Sequence, residues 1–130
     1  MTIQQLLWQG AQILNKDVYK RQPHNPVSRV WSEEELDTMF DICRRHGVLV
    51  VSDEIHQDFT YEGKKFVSSA LVGDGKYKDI LITLNAGSKT FNLAGLIHSH
   101  VIIFDKQLME TYDAVSYTHL HIRSYHILDR

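Results

Sequence analysis

Cysteine is nearly missing from this 130-residue chain: Cys43 stands alone, which excludes an intrachain disulfide framework and a multi-cysteine metal site. Long apolar runs are missing too. The run Val48-Leu49-Val50-Val51 is far too short to span a bilayer. The opening stretch, MTIQQLLWQG, has no basic region followed by a long apolar one, so no signal peptide is expected. No excess of one charge exists either. Lys+Arg number 14 and Asp+Glu 16, a formal charge of −2, which argues against general nucleic-acid or membrane-surface binding. There is no internal repeat and no low-complexity linker. What is present suffices for a core: 43% hydrophobic and 10% aromatic residues, in a length that fits one domain. The expectation is a soluble, cytoplasmic, mixed α/β chain.

Three zones differ in texture. Residues 1–22 carry a weak helical pattern (Ile3, Leu6, Leu7, Ala11, Leu14) that runs into the charged stretch Asp17-Val18-Tyr19-Lys20-Arg21-Gln22. Residues 23–114 are strongly patterned, and residues 115–130 hold three of the eight histidines without a clean period. The middle zone opens on Pro23-His24-Asn25-Pro26, a turn, since proline fixes its own φ and biases the residue before it away from helix. Ser32-Glu33-Glu34-Glu35 then spells a capping box, with Leu36, Met39, Phe40 and Cys43 at helical spacing behind it. Arg44, Arg45 and His46 fill the last turn and Gly47 is the natural stop, so a helix is predicted over 33–46.

Val48-Leu49-Val50-Val51, Ile80-Leu81-Ile82-Thr83-Leu84 and Val101-Ile102-Ile103-Phe104 are continuous apolar, β-branched runs. Such runs suit strands buried on both faces, which predicts an α/β fold with a mainly parallel sheet, one strand being free to run antiparallel. Open sheets of this kind bind ligands beyond the carboxyl ends of their strands. There the chain places Asp53-Glu54-Ile55-His56-Gln57-Asp58, Asn85-Ala86-Gly87-Ser88-Lys89-Thr90 and the Asn25-Pro26 turn. A carboxylate cluster, an imidazole, an amide and a lysine could thus meet at one edge. Strand-end carboxylates are common and often just cap a neighbouring helix, and position alone favours that plainer role.

Taken together, Pro23-His24-Asn25-Pro26-Val27-Ser28-Arg29-Val30-Trp31, Val51-Ser52-Asp53-Glu54-Ile55-His56 and Ser88-Lys89-Thr90-Phe91-Asn92-Leu93-Ala94-Gly95-Leu96 resemble fold-type-I pyridoxal-phosphate enzymes. The resemblance is to the cystathionine β-lyase and C–S lyase branch of the class I/II aminotransferases. Three motifs in order, with 28 residues from Asn25 to Asp53 and 36 from Asp53 to Lys89, are far more specific than any one of them. The resemblance covers residues 23–114 and implies a partial three-layer sandwich, a fragment of the large cofactor-binding domain. It implies pyridoxal 5'-phosphate as cofactor, a small amino acid as substrate, and a homodimer for the full-length protein. It also assigns roles. Lys89 matches the lysine that carries the cofactor and then works as base, a task helped by exclusion of water. Asp53 matches the acid paired with the pyridine nitrogen, Asn25 the amide that donates to the ring oxygen, and His56 a side chain near that oxygen. Ser88 is a candidate phosphate contact or a plain turn residue.

The departures are specific. Ser28 stands where the family has glycine, at a position that calls for φ > 0. Ile97 stands where many aminotransferases of this fold have a phosphate-clamping arginine. The family's upstream phosphate-binding turn and ring-stacking aromatic, and its C-terminal domain with the substrate-carboxylate arginine, have no counterpart in these residues. The expected organisation is therefore a poorly matching flank at 1–22, a partial cofactor-binding domain at 23–114 and a non-matching tail at 115–130. Both flanks read as non-native sequence joined to a coding fragment, and 1–16 and 115–130 are expected to pack poorly.

The expected activity is β-elimination from a sulfur amino acid, giving pyruvate, ammonia and thiol, with little turnover by the isolated chain. Alternatives from the same residues are a transaminase, the cofactor-sensing half of a transcription regulator, and an inactive truncated chain. His98-Ser99-His100 and His119-Leu120-His121 have a metal-like spacing but no acid or cysteine beside them, so they read as surface histidines and no metal is expected. Cys43 reads as core and Trp31 as a hydrophobic staple.

Overall fold

A computed structural model describes residues 17–96 and 98–119; the flanks 1–16 and 120–130, on which the expectation of poor packing largely falls, lie outside the described residues, as does Ile97. Four strands form one mixed sheet in the order β1 (Asp17–Arg21), β2 (Leu49–Asp53), β3 (Leu81–Asn85), β4 (His100–Ile103). The first three are parallel and β4 runs antiparallel to β3, with Asn85 opposite His100. The mainly parallel α/β reading holds. β1 was not foreseen as a strand in this chain: its charged sequence pairs along its whole length with β2, from Asp17 opposite Leu49 to Arg21 opposite Asp53. The apolar partner strand supplies the hydrogen-bond ladder that the local composition does not advertise.

Helix α1 (Glu33–Arg45) begins at the capping box foreseen. Glu35 N–H donates to Ser32 Oγ at 3.2 Å and Ser32 N–H donates to Glu35 Oε2 at 2.9 Å. The same bond from Ser32 holds the Glu35 carboxyl below the usual range. The helix stops at His46 and the chain reverses through Gly47, at φ +62°. Its apolar stripe, Leu36, Phe40 and Cys43, packs on Val50 of β2 and Leu81 of β3, together with Val72 and Tyr77 from the β2–β3 connection. Phe40 and Tyr77 meet edge to face at 5.5 Å, and the Tyr77 hydroxyl donates to Asp37. Cys43 is buried core, as its spacing implied, and Trp31 leans on the same cluster under the Arg29 guanidinium.

The β2–β3 connection crosses the sheet without an α-helix, through the short 3₁₀ turns Ser69–Gly75 and Lys78–Ile80. Gly73 sits there at φ +56°, a left-handed conformation that favours glycine. On the opposite face Val51, Ile82, Leu84 and Ile103 form a second core, against which Leu108, Met109 and Tyr112 of α2 (Lys106–His119) pack. Because successive strand residues point to opposite faces, one continuous apolar run feeds both cores. The result is helix, sheet, helix: the three-layer arrangement expected.

Candidate active site

Parallel pairing of β1, β2 and β3 brings their carboxyl ends to one edge of the sheet. The chain leaves that edge three times. After β1 it enters the turn holding Asn25; after β2, the turn at 55–58 holding His56; after β3, the turn at 87–92 holding Lys89. Asp53 is the last residue of β2, opposite Leu84 of β3. The antiparallel strand β4 starts at the same edge.

Asn25, His56 and Lys89 border one open cavity of about 670 Å³, shared with Pro23, Arg29 and Tyr61 among others. That volume lies within the range of small-molecule sites. Asn25 Nδ2 lies 3.5 Å from His56 Nε2, to which it donates when that nitrogen carries no proton. The His56 ring meets Phe59 edge to face at 6.0 Å. The Asn25 turn contains Ser28 at φ +56°, so the backbone keeps the left-handed conformation although the residue is not glycine. Lys89 is exposed on the rim; the described residues leave it in water. Asp53 and Ser88 do not line the cavity. Asp53 is buried, at 2% exposure, and its Oδ1 accepts the Ile55 N–H at 3.1 Å. Ser88 is half-buried, and its carbonyl accepts the Leu93 N–H.

Beneath this edge lies a buried polar system that residue pattern alone did not disclose. Glu54 is 1% exposed, and its carboxylate accepts from Ser52 Oγ, Ser68 Oγ and the Ser69 N–H at 2.8–3.0 Å. Its charge is thereby satisfied inside the protein. Lys20 is also buried, donating to Gln22 Oε1 at 3.0 Å, while Gln22 Nε2 donates to the Val67 carbonyl. Burial drags the Lys20 amine down to about 8, against the pull of Glu54.

Two further side-chain bonds, Thr90 Oγ1 to Asp58 Oδ2 at 2.5 Å and Asn85 Nδ2 to Gln57 Oε1 at 2.8 Å, join the turn after β3 to the turn after β2. These four residues lie within the strings that end β2 and β3, yet nothing in their type or spacing signals the pairing. His98 and His100 place their Nε2 atoms 2.9 Å apart, as a hydrogen-bonded pair. Among the described residues no group of three or more metal-ligating side chains stands together. No helix among them is long and apolar enough to cross a membrane.

The family model described as aminotransferase class I and II matches residues 2–116. The chain is 49% identical to the cystathionine beta-lyase PatB of Bacillus subtilis over 84 residues, 65% of this chain and 21% of that one. It is 38% identical to an aspartate aminotransferase of the same organism over 80 residues, 62% of this chain and 20% of the other. Among solved structures it is similar to cystalysin from Treponema denticola, which contains a pyridoxal 5'-phosphate cofactor. The TM-score is 0.75 at 34% identity, over 89% of this chain and 29% of that one. The chain thus spans about a fifth of the length of these curated relatives.

Proposed function

Because the chain belongs to the aminotransferase class I and II family, a family of pyridoxal-phosphate-dependent enzymes, we propose that it is part of the cofactor-binding domain of a C–S β-lyase. The observation that carries this reading is the meeting of Asn25, His56 and Lys89 around one cavity, at the edge where Asp53 ends β2. The donor set suits the cofactor: a primary amine for its aldehyde, a buried carboxylate for its ring nitrogen, and an amide beside an imidazole for its ring oxygen. When bound, the cofactor supplies an aldehyde for amines and a cationic ring that accepts electrons released at a substrate Cα.

The chain's own residues do the rest. Lys89 Nζ would be the amine that holds the cofactor aldehyde and, when free, the base that takes the proton from the substrate Cα. The Asp53 carboxylate holds a proton on the ring nitrogen, and the Ile55 N–H bonded to its Oδ1 fixes its orientation. Asn25 and His56 would hold the ring oxygen. For a sulfur amino acid, departure of the thiolate from Cβ and addition of one water give thiol, pyruvate and ammonia. If the proton returns to a different carbon, the same residues run transamination. Relatives of both kinds match, a cystathionine beta-lyase at 49% and an aspartate aminotransferase at 38% identity, so transamination stands as the alternative.

The test is incubation of the 130-residue chain with pyridoxal phosphate, borohydride reduction and peptide mapping. Label concentrated on Lys89 and lost in Lys89→Ala is the expected result; label spread evenly over the lysines refutes the site. Added cystathionine is expected to yield no steady pyruvate. Register between substrate and base decides the rate, with about 1 Å of misplacement costing on the order of a hundredfold.

A further inference from the structure

We propose that Asp58 and Thr90 are positioning residues: their hydrogen bond tethers the Lys89 turn to the His56 turn and sets where the lysine amine stands. The inference rests on the reading of Lys89 as the cofactor lysine. The sheet's own register ends below the site. The last ladder pair between β2 and β3 is Asp53 opposite Leu84, followed by one more backbone bond, Glu54 N–H to the Leu84 carbonyl at 2.8 Å. Beyond that point the backbone hydrogen bonds seen among the described residues close each turn upon itself. Phe91 N–H reaches the Gly87 carbonyl and Leu93 N–H that of Ser88; Gln57 N–H reaches Glu54 and Phe59 N–H reaches His56. Local closure shapes a turn but does not aim it. The large apolar side chains of the Lys89 turn add little anchoring, since Phe91, Leu93 and Leu96 are exposed.

Two side-chain bonds take over where the ladder stops. Asn85 Nδ2 to Gln57 Oε1, at 2.8 Å, is the inner one; Thr90 Oγ1 to Asp58 Oδ2, at 2.5 Å, is the outer one. Thr90 is the next residue after Lys89, and Asp58 is two residues after His56. A hydroxyl donating to a carboxylate is a charge-assisted bond, short and stronger than one between neutral groups. It fixes the amine's neighbour directly to the turn that presents the imidazole. Asp58 also borders the cavity, so its oxygen toward Thr90 is anchored at the site and not on a remote surface.

Thr90→Val keeps the shape and removes the donor, Thr90→Ser restores the donor, and Asp58→Ala removes the acceptor. The first readout needs no cofactor: amide exchange of Phe91 and Leu93, with Val50, Val51 and Ile82 as controls for the intact sheet. Thr90→Val and Asp58→Ala are expected to speed the turn amides about 3–10-fold and leave the sheet amides unchanged, with Thr90→Ser like the parent. The second readout is the rate of pyridoxal-phosphate trapping on Lys89, expected to slow by a similar factor in the same two variants. Unchanged turn exchange in both variants overturns the proposal. So does faster exchange with unchanged trapping, because the bond would then exist without aiming the lysine. Absence of trapping in the parent chain would sink the cofactor reading by itself; the exchange data would still decide whether the tether holds the turn.

Discussion

Lys20 gives the sharpest test of the packing. Its amine is buried between β1 and α1, 5.7 Å from the Phe40 ring centre, with Gln22 Oε1 as its acceptor. Removal from water lowers its pKa from 10.5 to about 8, although the Glu54 carboxylate pulls it back up. In the unfolded chain the amine regains its ordinary value, so between about pH 8 and 10.5 the unfolded state binds more protons than the folded one. Stability therefore rises with pH across that window, and the burial penalty is at its full value below it. A drop of this size corresponds to about 3 kcal/mol, of which about 1 kcal/mol is recovered between pH 7 and pH 9. Tyr77 and Tyr112, pushed up by burial, work in the opposite sense only at higher pH. Cys43, also pushed up by burial, opposes the rise near pH 9, so the difference between the parent and a Lys20 variant isolates the lysine.

Lys20→Met keeps the length and removes the charge, at the cost of leaving Gln22 Oε1 without its donor. The variant should gain about 1–2 kcal/mol at pH 7 and lose the upward slope. Urea unfolding at pH 7, 8 and 9, followed by circular dichroism, measures both. Parallel stability profiles for the parent and Lys20→Met would refute the reasoning, because they would mean that the amine reaches water in the folded chain.

Two further perturbations probe the same scaffold. Glu54→Gln replaces a carboxylate that accepts three hydrogen bonds and should cost about 1–3 kcal/mol in urea unfolding. It should also move the midpoint of the Lys20 effect to lower pH, since Glu54 raises that amine; an unmoved midpoint would deny the coupling. Ser28 holds φ +56°, a conformation that costs a side-chain-bearing residue about 1 kcal/mol. Ser28→Gly should recover most of that while Ser28→Ala should not, and equal gains in the two would point away from the backbone.

The elements that the chain announces are those whose causes are local. The α1 capping box is complete within residues 32–35, and the apolar runs of β2 and β3 are readable because both faces of those strands are covered. β1 shows the opposite case. Beyond Val18 and Tyr19, little in Asp17-Val18-Tyr19-Lys20-Arg21 announces a parallel strand; the neighbouring β2 backbone supplies the reason, along with a place for Lys20 beside Phe40. The antiparallel direction of β4 is likewise a property of the partner strand, since Val101-Ile102-Ile103 suits either orientation.

At the candidate site the same division recurs on a finer scale. The placement of Asn25, Asp53, His56 and Lys89 near one edge was legible because a strand end followed by a turn is a local pattern, and parallel pairing then carries the three turns to that edge. The contacts that would make those groups act together are not local. Thr90 and Asp58 are 32 residues apart, and each taken alone is an ordinary turn residue. Burial divides the site in the same way. Asp53 is enclosed at the end of β2, where the sheet and its neighbours shield it, whereas Lys89 stands one turn further out, beyond the last ladder pair and in water. A sheet edge can enclose only what lies level with its strands. If Lys89 and Asp53 take the roles proposed for them, an acid at the strand end and a lysine on the turn beyond it would leave the amine room to move while the acid stays still.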